Sequence, residues 1–449
     1  MAKWNDLLGV RHNSDEEDAT AETDLAPDSA EQVAIPAPEL VGPQAGIDED
    51  PGEDAPLVVG DPALAGSDVP AVQAVNKLMY EALDARASDI HVESMPDRIR
   101  CRYRIDGLLE DVEPPPPHLR AAFLARLRVM AGLNLADHRT PQDGRMRLRF
   151  SDRTVDVRMS TVPILRGESV ALRLLDPGRG QIDLSEMGLR PNDMSRLMEI
   201  ALRPHGMVLT TGPGGSGKST SLYALVRRMS TGKEKIFTVE DPVEYDFDDI
   251  CQVSVNHRAG LTFANLLRSL VRQDPDVLLV GEIRDSETAD IATHAALTGH
   301  LVLSTLHTRD SIAALPRMVD LGVPEYLVAH TIEAVLAQRL VRTICTQCAE
   351  VVDFRREDLL ALGPTAQEFT QGKRGSGCEA CRGTGYFGRT GLYELLVMTD
   401  SLRDAFLEKR GVREVREIAL SEGMEPLRLD GIYKVHAGIT TPEEVLRVT

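Results

Sequence analysis

The sequence predicts an α/β protein in which a parallel sheet flanked by helices follows a smaller α+β domain. Two observations support this fold class. From about Leu184 onward, short apolar runs alternate with helical patterns, which is typical of a sheet with parallel strands and helices on both faces. Before that point, polar and apolar residues alternate in several short runs, which indicates half-buried strands. The predicted strands of the larger domain are 207–211, 236–239, 277–280 and 301–305.

The smaller domain is predicted over residues 71–176, and a linker is predicted over 177–183. Its first element is a helix, because apolar residues recur at helical spacing from Val72 to Leu83. Asp106-Gly107 is a turn signal that follows two alternating runs. The predicted strands are 88–93, 99–105, 145–150, 154–160 and 169–175, with a second helix within 119–133.

Residues 1–70 predict an acidic, disordered tail. They hold 17 Asp and Glu against two Lys and Arg, so they carry −15 of the chain's net charge of −20 and leave −5 for the remainder. The tail is rich in Pro and Ala and has no long periodic pattern. An apolar group surrounds Trp4, the single tryptophan, and comprises Leu7, Leu8 and Val10. Two interpretations stay open for this group, namely an unstructured terminus and a partner-docking helix that folds on binding.

Length and composition exclude several classes of protein. A chain of 449 residues predicts about two to four domains. No apolar run reaches the roughly 18 residues of a membrane span, and no signal-peptide pattern is present. We therefore expect a cytosolic protein that reaches a membrane only through partners. The negative net charge and an aromatic content of 4% disfavour binding to nucleic acid.

The sequence contains a complete phosphate-binding motif of the form G-x-x-x-x-G-K-[ST]. It lies between an apolar run, 207–211, and a helical pattern, 220–226, which is the context that the motif needs. Glycines let the backbone wrap around a phosphate, and the helix N-terminus supplies positive potential. Lys218 is expected to reach the β- and γ-phosphates, and Ser219 to hold Mg²⁺. The motif consists of Gly212, Pro213, Gly214, Gly215, Ser216, Gly217, Lys218 and Ser219, with Thr220 next.

Acidic residues and a histidine follow the other predicted strands. Glu282 follows the apolar run 277–280 after one glycine, Gly281. It is therefore a candidate for orienting or activating a water that attacks the phosphate. Residues 240–244 hold three carboxylates, which either form a solvated loop or assist the nucleophile and the Mg²⁺ waters. His307 stands where a sensor of the γ-phosphate would lie, although a lone histidine is more often structural.

Four cysteines form a C-x₂-C…C-x₂-C set. They are Cys345, Cys348, Cys378 and Cys381. Disulfides are rare in cytosolic proteins, so this set predicts a tetrahedral structural Zn²⁺ site, although the gap between the pairs is longer than in usual zinc ribbons. Four bound thiolates would leave no position for a catalytic water. Cys101 and Cys251 are isolated, and we expect both to be buried.

Four arginines also stand out by position. Arg158 and Arg173 lie in alternating strands of the first domain, and Arg268 and Arg272 are spaced one helical turn apart on one face. Solvated surface charges are the default interpretation. In a ring ATPase such arginines can reach phosphates as fingers.

Together these motifs resemble the secretion ATPases of the type II and type IV pilus superfamily, and most closely the type II secretion ATPases. The resemblance extends from about Val69 to the C-terminus. Besides the motifs above, it rests on 87–93, 104–107, 141–145, 268–284, 337–340 and 388–394.

The resemblance implies a hexameric ring that binds ATP and Mg²⁺ between a small α+β domain and a RecA-like P-loop ATPase domain at 184–344. It implies a zinc-binding insertion at 345–390 and a helical C-terminal region at 391–449. By position, Glu282 matches the catalytic glutamate, Glu244 the acidic-box glutamate and His307 the histidine box. Arg158 and Arg173 match arginine fingers of the first domain, while Arg268 and Arg272 match arginines at the ATP site or ring interface.

The implied partners are the inner-membrane secretion platform proteins, namely the cytoplasmic domain of the bitopic docking protein and the polytopic platform protein. Family members usually carry a folded N-terminal docking domain, and the acidic tail stands in its place here. Two other functions stay open: a type IV pilus assembly ATPase, which shares these motifs, and a non-hydrolysing, zinc-stapled nucleotide-binding scaffold.

Overall fold

The computed structural model describes residues 69–149, 154–176, 182–257 and 259–449. The predicted acidic tail and its Trp4 group therefore lie outside the described residues, apart from the tail's last two positions, as does most of the predicted linker at 177–183. In the described ranges, no helix is both long and apolar enough to cross a membrane.

The first domain is a six-stranded antiparallel sheet with the strand order β3-β2-β1-β6-β5-β4. Alternation along each strand buries one face, which packs against two helices through apolar residues such as Leu78 and Phe123. The predicted strands and both helices of this domain are confirmed. Its elements are α1 (Pro70–Asp84), β1 (Ala87–Ser94), β2 (Ile99–Ile105), β3 (Leu108–Val112), α2 (Arg120–Met130), β4 (Gln142–Arg149), β5 (Thr154–Ile164) and β6 (Gly167–Leu175).

The second sheet has seven strands, and a strand from late in the chain, β15 (Tyr386–Val397), lies at one end of the order β15-β12-β7-β11-β10-β8-β9. Neighbouring strands from β12 to β9 are parallel, and only β15 runs antiparallel. The four predicted parallel strands are confirmed. The elements up to the cysteines are α3 (Pro191–Ala201), β7 (Gly206–Thr211), α4 (Lys218–Met229), β8 (Ile236–Glu240), β9 (Cys251–Ser254), α5 (Phe263–Leu270), β10 (Val277–Val280), α6 (Ser286–Leu297), β11 (Leu301–Leu306), α7 (Ala314–Asp320), α8 (Glu325–Thr331) and β12 (Ile332–Ile344).

Apolar layers cover both faces of this sheet. Helices α3 and α4 pack on one face, where Val208 and Leu303 point. Helices α5 to α8, α10 and α11 pack on the other face, where Leu209 and Val302 point. The central strands are apolar on both faces because both faces are buried, as is usual for parallel sheets.

The remaining elements are β13 (Ala349–Asp353), α9 (Arg356–Leu362), β14 (Gln371–Gly375), β15 (Tyr386–Val397), α10 (Asp400–Leu407), α11 (Val412–Ser421), α12 (Leu427–His436) and α13 (Pro442–Val448). Short 3₁₀ helices lie at Pro117–Leu119, Leu184–Met187 and Pro364–Glu368. The helices expected over 402–449 are confirmed. Strand β15 crosses the boundary predicted at residue 390 and pairs with β12, so the cysteine segment leaves and re-enters the large sheet. The domain boundaries themselves stay a prediction.

One expectation about an isolated cysteine is wrong. Cys101 is buried on β2 as expected, but Cys251 is exposed. The reason is that Cys251 lies on β9, a short strand at the edge of the sheet, where only one side is covered by a neighbouring strand.

Candidate functional site

Predicted site segments follow four adjacent strands of the large sheet. The phosphate motif follows β7, His307 follows β11, Glu282 follows β10, and the acidic segment 240–244 begins at the end of β8. These strands are parallel neighbours in the order β7-β11-β10-β8, so their carboxyl ends lie along one edge. Ligands of open α/β sheets bind at such an edge.

The phosphate loop is a turn that needs glycine at both ends, because Gly212 and Gly217 have positive φ angles and close neighbours. Gly217 has φ +87° and immediately precedes α4. A Cβ atom at this position would lie 2.8 Å from Nε2 of Gln338 on β12, so the loop and strand are in close contact. Ser216 is 3% exposed, and within the described residues its hydroxyl has no hydrogen-bond partner. A tight turn at a helix N-terminus, with a buried hydroxyl that lacks a partner, fits a bound phosphate.

Lys218 is held inside this loop. Its ammonium donates hydrogen bonds to the carbonyl oxygens of Gly212 at 2.9 Å and Pro213 at 3.0 Å. Burial lowers the pKa of Lys218, the Glu282 charge opposes that change, and the Arg339 charge adds to it. Carbonyl oxygens satisfy an ammonium only weakly compared with phosphate oxygens, so the lysine is poised to bind an anion.

Glu282, Arg284 and His307 form a cluster at the ends of β10 and β11. Oε2 of Glu282 lies 2.5 Å from Nε of Arg284 and 3.5 Å from Nε2 of His307. The Glu282 side chain is only 15% exposed, whereas His307 is 51% exposed. The structure thus brings the predicted catalytic glutamate and histidine together, and it adds an arginine to which sequence analysis assigned no role.

Threonines fix the backbone on both sides of this cluster. The hydroxyl of Thr305 donates to the carbonyl oxygen of Gly281 at 2.8 Å. The backbone N–H of Thr308 donates to the hydroxyl of Thr211 at 2.8 Å, and the two hydroxyls lie 2.7 Å apart. Because Thr211 directly precedes the phosphate loop, the histidine segment is tied to that loop.

Two glutamates of the acidic segment lie in different environments. Glu240 is 5% exposed and accepts hydrogen bonds from the hydroxyls of Tyr223 and Thr238, and from the side chain of Gln252 at 3.2 Å. It therefore anchors α4 to β8. A cavity of about 20 Å³ separates Glu240 from Ser219, which is room for about one water molecule.

Glu244, in contrast, is exposed. The surrounding protein raises the pKa of its carboxyl, while the positive charges of Arg158 and, more weakly, Arg173 oppose that effect. Burial lowers the pKa of Arg158, which the charges of Glu244 and Asp241 counteract. An arginine of the first domain thus lies within electrostatic reach of the acidic segment of the same chain.

Arg268 and Arg272 are placed differently from the other predicted arginines. Helix α5 ends at Leu270, so Arg272 lies in the turn beyond it, and the expectation that one helical face carries both is wrong. Arg268 forms an ion pair with Glu287 at 2.5 Å, and Nη1 of Arg272 donates to the carbonyl oxygen of Arg268 at 2.5 Å. These contacts link α5 to α6 rather than to the phosphate loop.

Strand β12 contributes two further residues at the phosphate loop. Gln338 is 2% exposed, and its Oε1 accepts from the hydroxyl of Ser221 in the first turn of α4 at 2.6 Å. Arg339 donates to the carbonyl oxygen of Gln338 at 2.9 Å and to that of Arg309. The available sequence signal was a pair of polar residues inside the otherwise apolar run 334–341.

The four predicted cysteine ligands form one cluster. Their sulfur atoms all lie within 4.8 Å of one another. Sγ–Sγ distances of 3.8 Å separate Cys345 from Cys378 and Cys348 from Cys381, and 3.7 Å separates Cys378 from Cys381. A tetrahedral ion with metal–sulfur bonds of about 2.3 Å requires edges of about 3.8 Å. A disulfide would need about 2.05 Å, so the geometry suits a metal ion.

Comparisons with known proteins agree with this geometry. Residues 65–447 match the family model described as "Type II/IV secretion system protein". The chain is 46% identical over 380 residues to the type II secretion system protein HxcR of Pseudomonas aeruginosa, covering 85% of this chain and 77% of that protein. It is 44% identical over 382 residues to the type II secretion system ATPase E of Vibrio cholerae, covering 85% and 76%.

A solved structure supports the fold. The ATPase DotB of Legionella pneumophila superposes with a TM-score of 0.61 at 23% identity, covering 83% of this chain and 94% of that one. At this level of identity the match concerns architecture. The sequence matches extend over both described domains and the cysteine cluster, and on their strength the chain belongs to the type II/IV secretion system protein family.

Proposed function

We propose that this chain is the cytoplasmic ATPase of a type II secretion system, which hydrolyses ATP in a hexameric ring to drive pseudopilus assembly and protein export. One observation carries the proposal: the phosphate loop, Glu282 and His307 meet at the carboxyl edge of one parallel sheet, with Glu282 and His307 within 3.5 Å of each other. A scaffold that only bound nucleotide would not need this carboxylate and histidine beside the loop.

In this proposal the phosphate loop holds ATP, and Lys218 exchanges its carbonyl contacts for phosphate oxygens. Ser219 and Thr220 would hold Mg²⁺, which would neutralise charge on the phosphates. Glu282 orients the attacking water and accepts its proton, and His307 contacts the γ-phosphate side of the site. Arg284 then has to release Glu282, since an ion pair at 2.5 Å weakens a general base.

The remaining predicted residues act at the domain and subunit boundaries. Glu244 assists the Mg²⁺ waters, while Arg158 and Arg173 approach the phosphates from the first domain. Arg268 and Arg272 stabilise the ring interface or the ATP site. Hydrolysis would swing the first domain against the second, and the platform would convert that rotation into extension of a pseudopilus.

The cysteine cluster would hold a structural Zn²⁺. All four ligands are thiolates, a donor set that suits zinc, and no ligand position is left for water. The ion would fix the segment that leaves the sheet after β12 and returns in β15. The chain would lie at the inner membrane through the bitopic docking protein and the polytopic platform protein, and it would bind no nucleic acid.

Phosphate release from ATP tests the chemistry. The variant Lys218→Ala should abolish turnover, and Glu282→Gln should bind ATP without cleaving it. The variant Lys233→Ala is a matched control, because Lys233 is exposed in the loop after α4, and it should keep wild-type turnover. Undiminished turnover in Glu282→Gln would refute the role of Glu282, and absence of turnover in the wild-type hexamer would favour the scaffold function.

Affinity purification of the chain from its own membranes tests the pathway. Recovery of secretion-platform proteins, lost when residues 1–70 are deleted, would support type II secretion with the tail as anchor. Recovery of pilus platform proteins would assign the chain to type IV pilus assembly and leave the ATPase chemistry unchanged.

A further inference from the structure

Three arginines stand side by side on the first domain's sheet. Arg145 on β4 is the cross-strand partner of Arg158 on β5, and Arg158 is the partner of Arg173 on β6. Their sequence neighbours, such as Met146 and Val157, point into the core, so the three arginines share the opposite face. Directly opposite residues have Cβ atoms about 4.5–5.5 Å apart.

Such a row of like charges is unfavourable unless anions compensate for it. Arg173 has one compensating partner, since its Nε lies 3.1 Å from the Asp89 carboxylate on β1. Arg147, two residues along β4 on the same face, pairs with Asp156 at 2.8 Å. Within the ranges that the structure describes, the ion pairs of this face involve neither Arg145 nor Arg158.

Arg158, the middle arginine of this row, lies near the acidic segment of the second domain. The charges that favour protonation of Arg158 come from Glu244 and Asp241, at the end of β8 in the large sheet. The charge of Arg145 acts on Arg158 in the opposite direction. Because Arg145 is the direct cross-strand neighbour of Arg158, an anion at the carboxyl edge of the large sheet that reaches Arg158 would also lie next to the guanidinium group of Arg145.

The backbone that carries Arg145 is held rigidly. A Cβ atom at Gly144 would lie 2.2 Å from the carbonyl oxygen of Ala131, so the strand contacts the end of α2 and only glycine fits there. At the beginning of the same strand, the Gln142 side chain donates hydrogen bonds to the carbonyl oxygens of Asn134 at 3.2 Å and Asp137 at 2.7 Å. The fixed backbone holds the base of the Arg145 side chain in place, so binding a ligand would have to order only the side chain itself.

We infer that Arg145 is a third phosphate-directed arginine, which contacts the terminal phosphates of ATP bound at the phosphate loop of the same chain. This inference rests on the proposed function, since it names a further contact at the same site. The guanidinium fork suits phosphate oxygens, and two neighbouring forks can each engage a different oxygen of the γ-phosphate. The three arginines would then act as one row, with Asp89 orienting Arg173.

Nucleotide binding to the full-length hexamer separates this role from a structural one. The ratio of the affinity for ADP with beryllium fluoride, a mimic of the γ-phosphate, to the affinity for ADP alone would be measured for the wild type, Arg145→Ala, Arg145→Lys and Arg147→Ala. Steady-state kcat and KM for ATP would be measured on the same samples. Sedimentation would verify that each variant assembles as the wild type does.

Arg145→Ala should reduce the affinity ratio and kcat by at least about tenfold, with little effect on the affinity for ADP. Arg145→Lys should restore part of both, and Arg147→Ala should stay within about twofold of the wild type, because its charge is already paired. An unchanged affinity ratio in Arg145→Ala would overturn the inference, as would an equal loss in Arg147→Ala. A wild-type hexamer without turnover would instead contradict the proposed function, while the affinity ratio would still decide the role of Arg145.

Discussion

The carboxylate of Asp106 accepts a hydrogen bond from the backbone N–H of Gly388 at 2.9 Å. The turn between β2 and β3 of the first domain is thereby joined to the beginning of β15, directly after the cysteine cluster. Arg86 and Arg389 lie 3.6 Å and 3.7 Å from the same carboxylate. Arg86 also stacks over the ring of Phe387 at 3.5 Å. This contact couples the position of the first domain to the cysteine segment.

Replacing Asp106 should loosen that contact. In Asp106→Ala we expect faster hydrogen exchange at the Gly388 amide. The free energy of local opening should fall by about 1.5–3 kcal/mol, since the lost hydrogen bond has a charged acceptor. Mass spectrometry of peptides covering 386–390 measures this. Asp111→Ala is the control, because its pair with Arg100 is largely exposed and contributes little. Unaltered exchange at Gly388 would show that the contact does not restrain the domain.

Gln338 should control the shape of the phosphate loop. Its side chain lies beneath Gly217 and accepts from Ser221, so Gln338→Leu removes a buried hydrogen bond at nearly constant volume. We expect the affinity for ADP to fall about fivefold, in line with about 1 kcal/mol for one hydrogen bond. Titration with a fluorescent ADP analogue measures this. Circular dichroism should show an unchanged fold, and wild-type affinity in a folded variant would contradict the prediction.

Metal loss should destabilise the cysteine segment. We expect Cys345→Ser combined with Cys378→Ser to release the bound zinc and to make residues 345–385 sensitive to protease, since binding free energy at a thiolate site is also folding free energy. Metal analysis and limited proteolysis measure the two effects. Cys251→Ser, at the exposed edge strand, should change neither. Equal zinc content in the double variant and the wild type would rule out the site.

The sequence was informative wherever a local pattern reports a local structure. The phosphate loop needed only its glycines and flanking elements, and the strands of the first domain alternate cleanly. Strands β12 and β15 escaped prediction because each has a stretch that is buried on both faces and therefore has no alternation, namely 332–338 and 391–396. Their pairing is also non-local, since residues 345–385 of the cysteine segment intervene between the two strands.

The contacts of the site were harder to anticipate than its residues. The sequence did not show that α5 ends at Leu270, and Arg272 was therefore expected on the same helical face as Arg268. No pattern distinguishes Glu240, which is buried against Tyr223, from Glu244, which is exposed, because the difference arises from packing between elements. Similarly, the ion pair between Arg284 and Glu282 depends on a bend after β10 that has no sequence signature.

Glu444 should make the C-terminal region sensitive to acid. Its carboxylate is 2% exposed and accepts hydrogen bonds from the side chains of Arg342 and Arg447, and from the Arg342 backbone N–H. Burial alone would raise the pKa of Glu444, but these hydrogen bonds outweigh burial and lower the pKa from 4.5 to about 2. A lowered folded-state pKa stabilises the fold above pH 4.5, and that contribution is lost as the pH falls toward 2.

The contribution of Glu444 is about 3 kcal/mol at neutral pH. Glu444→Gln should therefore lower the free energy of unfolding at pH 7 by up to this amount, and the difference from the wild type should shrink steadily between pH 4.5 and pH 3. Urea unfolding followed by circular dichroism measures both values. Glu443→Gln is the neighbouring control, because its side chain is 37% exposed and its pair with Arg374 lies at the surface. A difference between Glu444→Gln and the wild type that is equally large at pH 7 and pH 3 would mean that Glu444 acts through packing rather than through its charge.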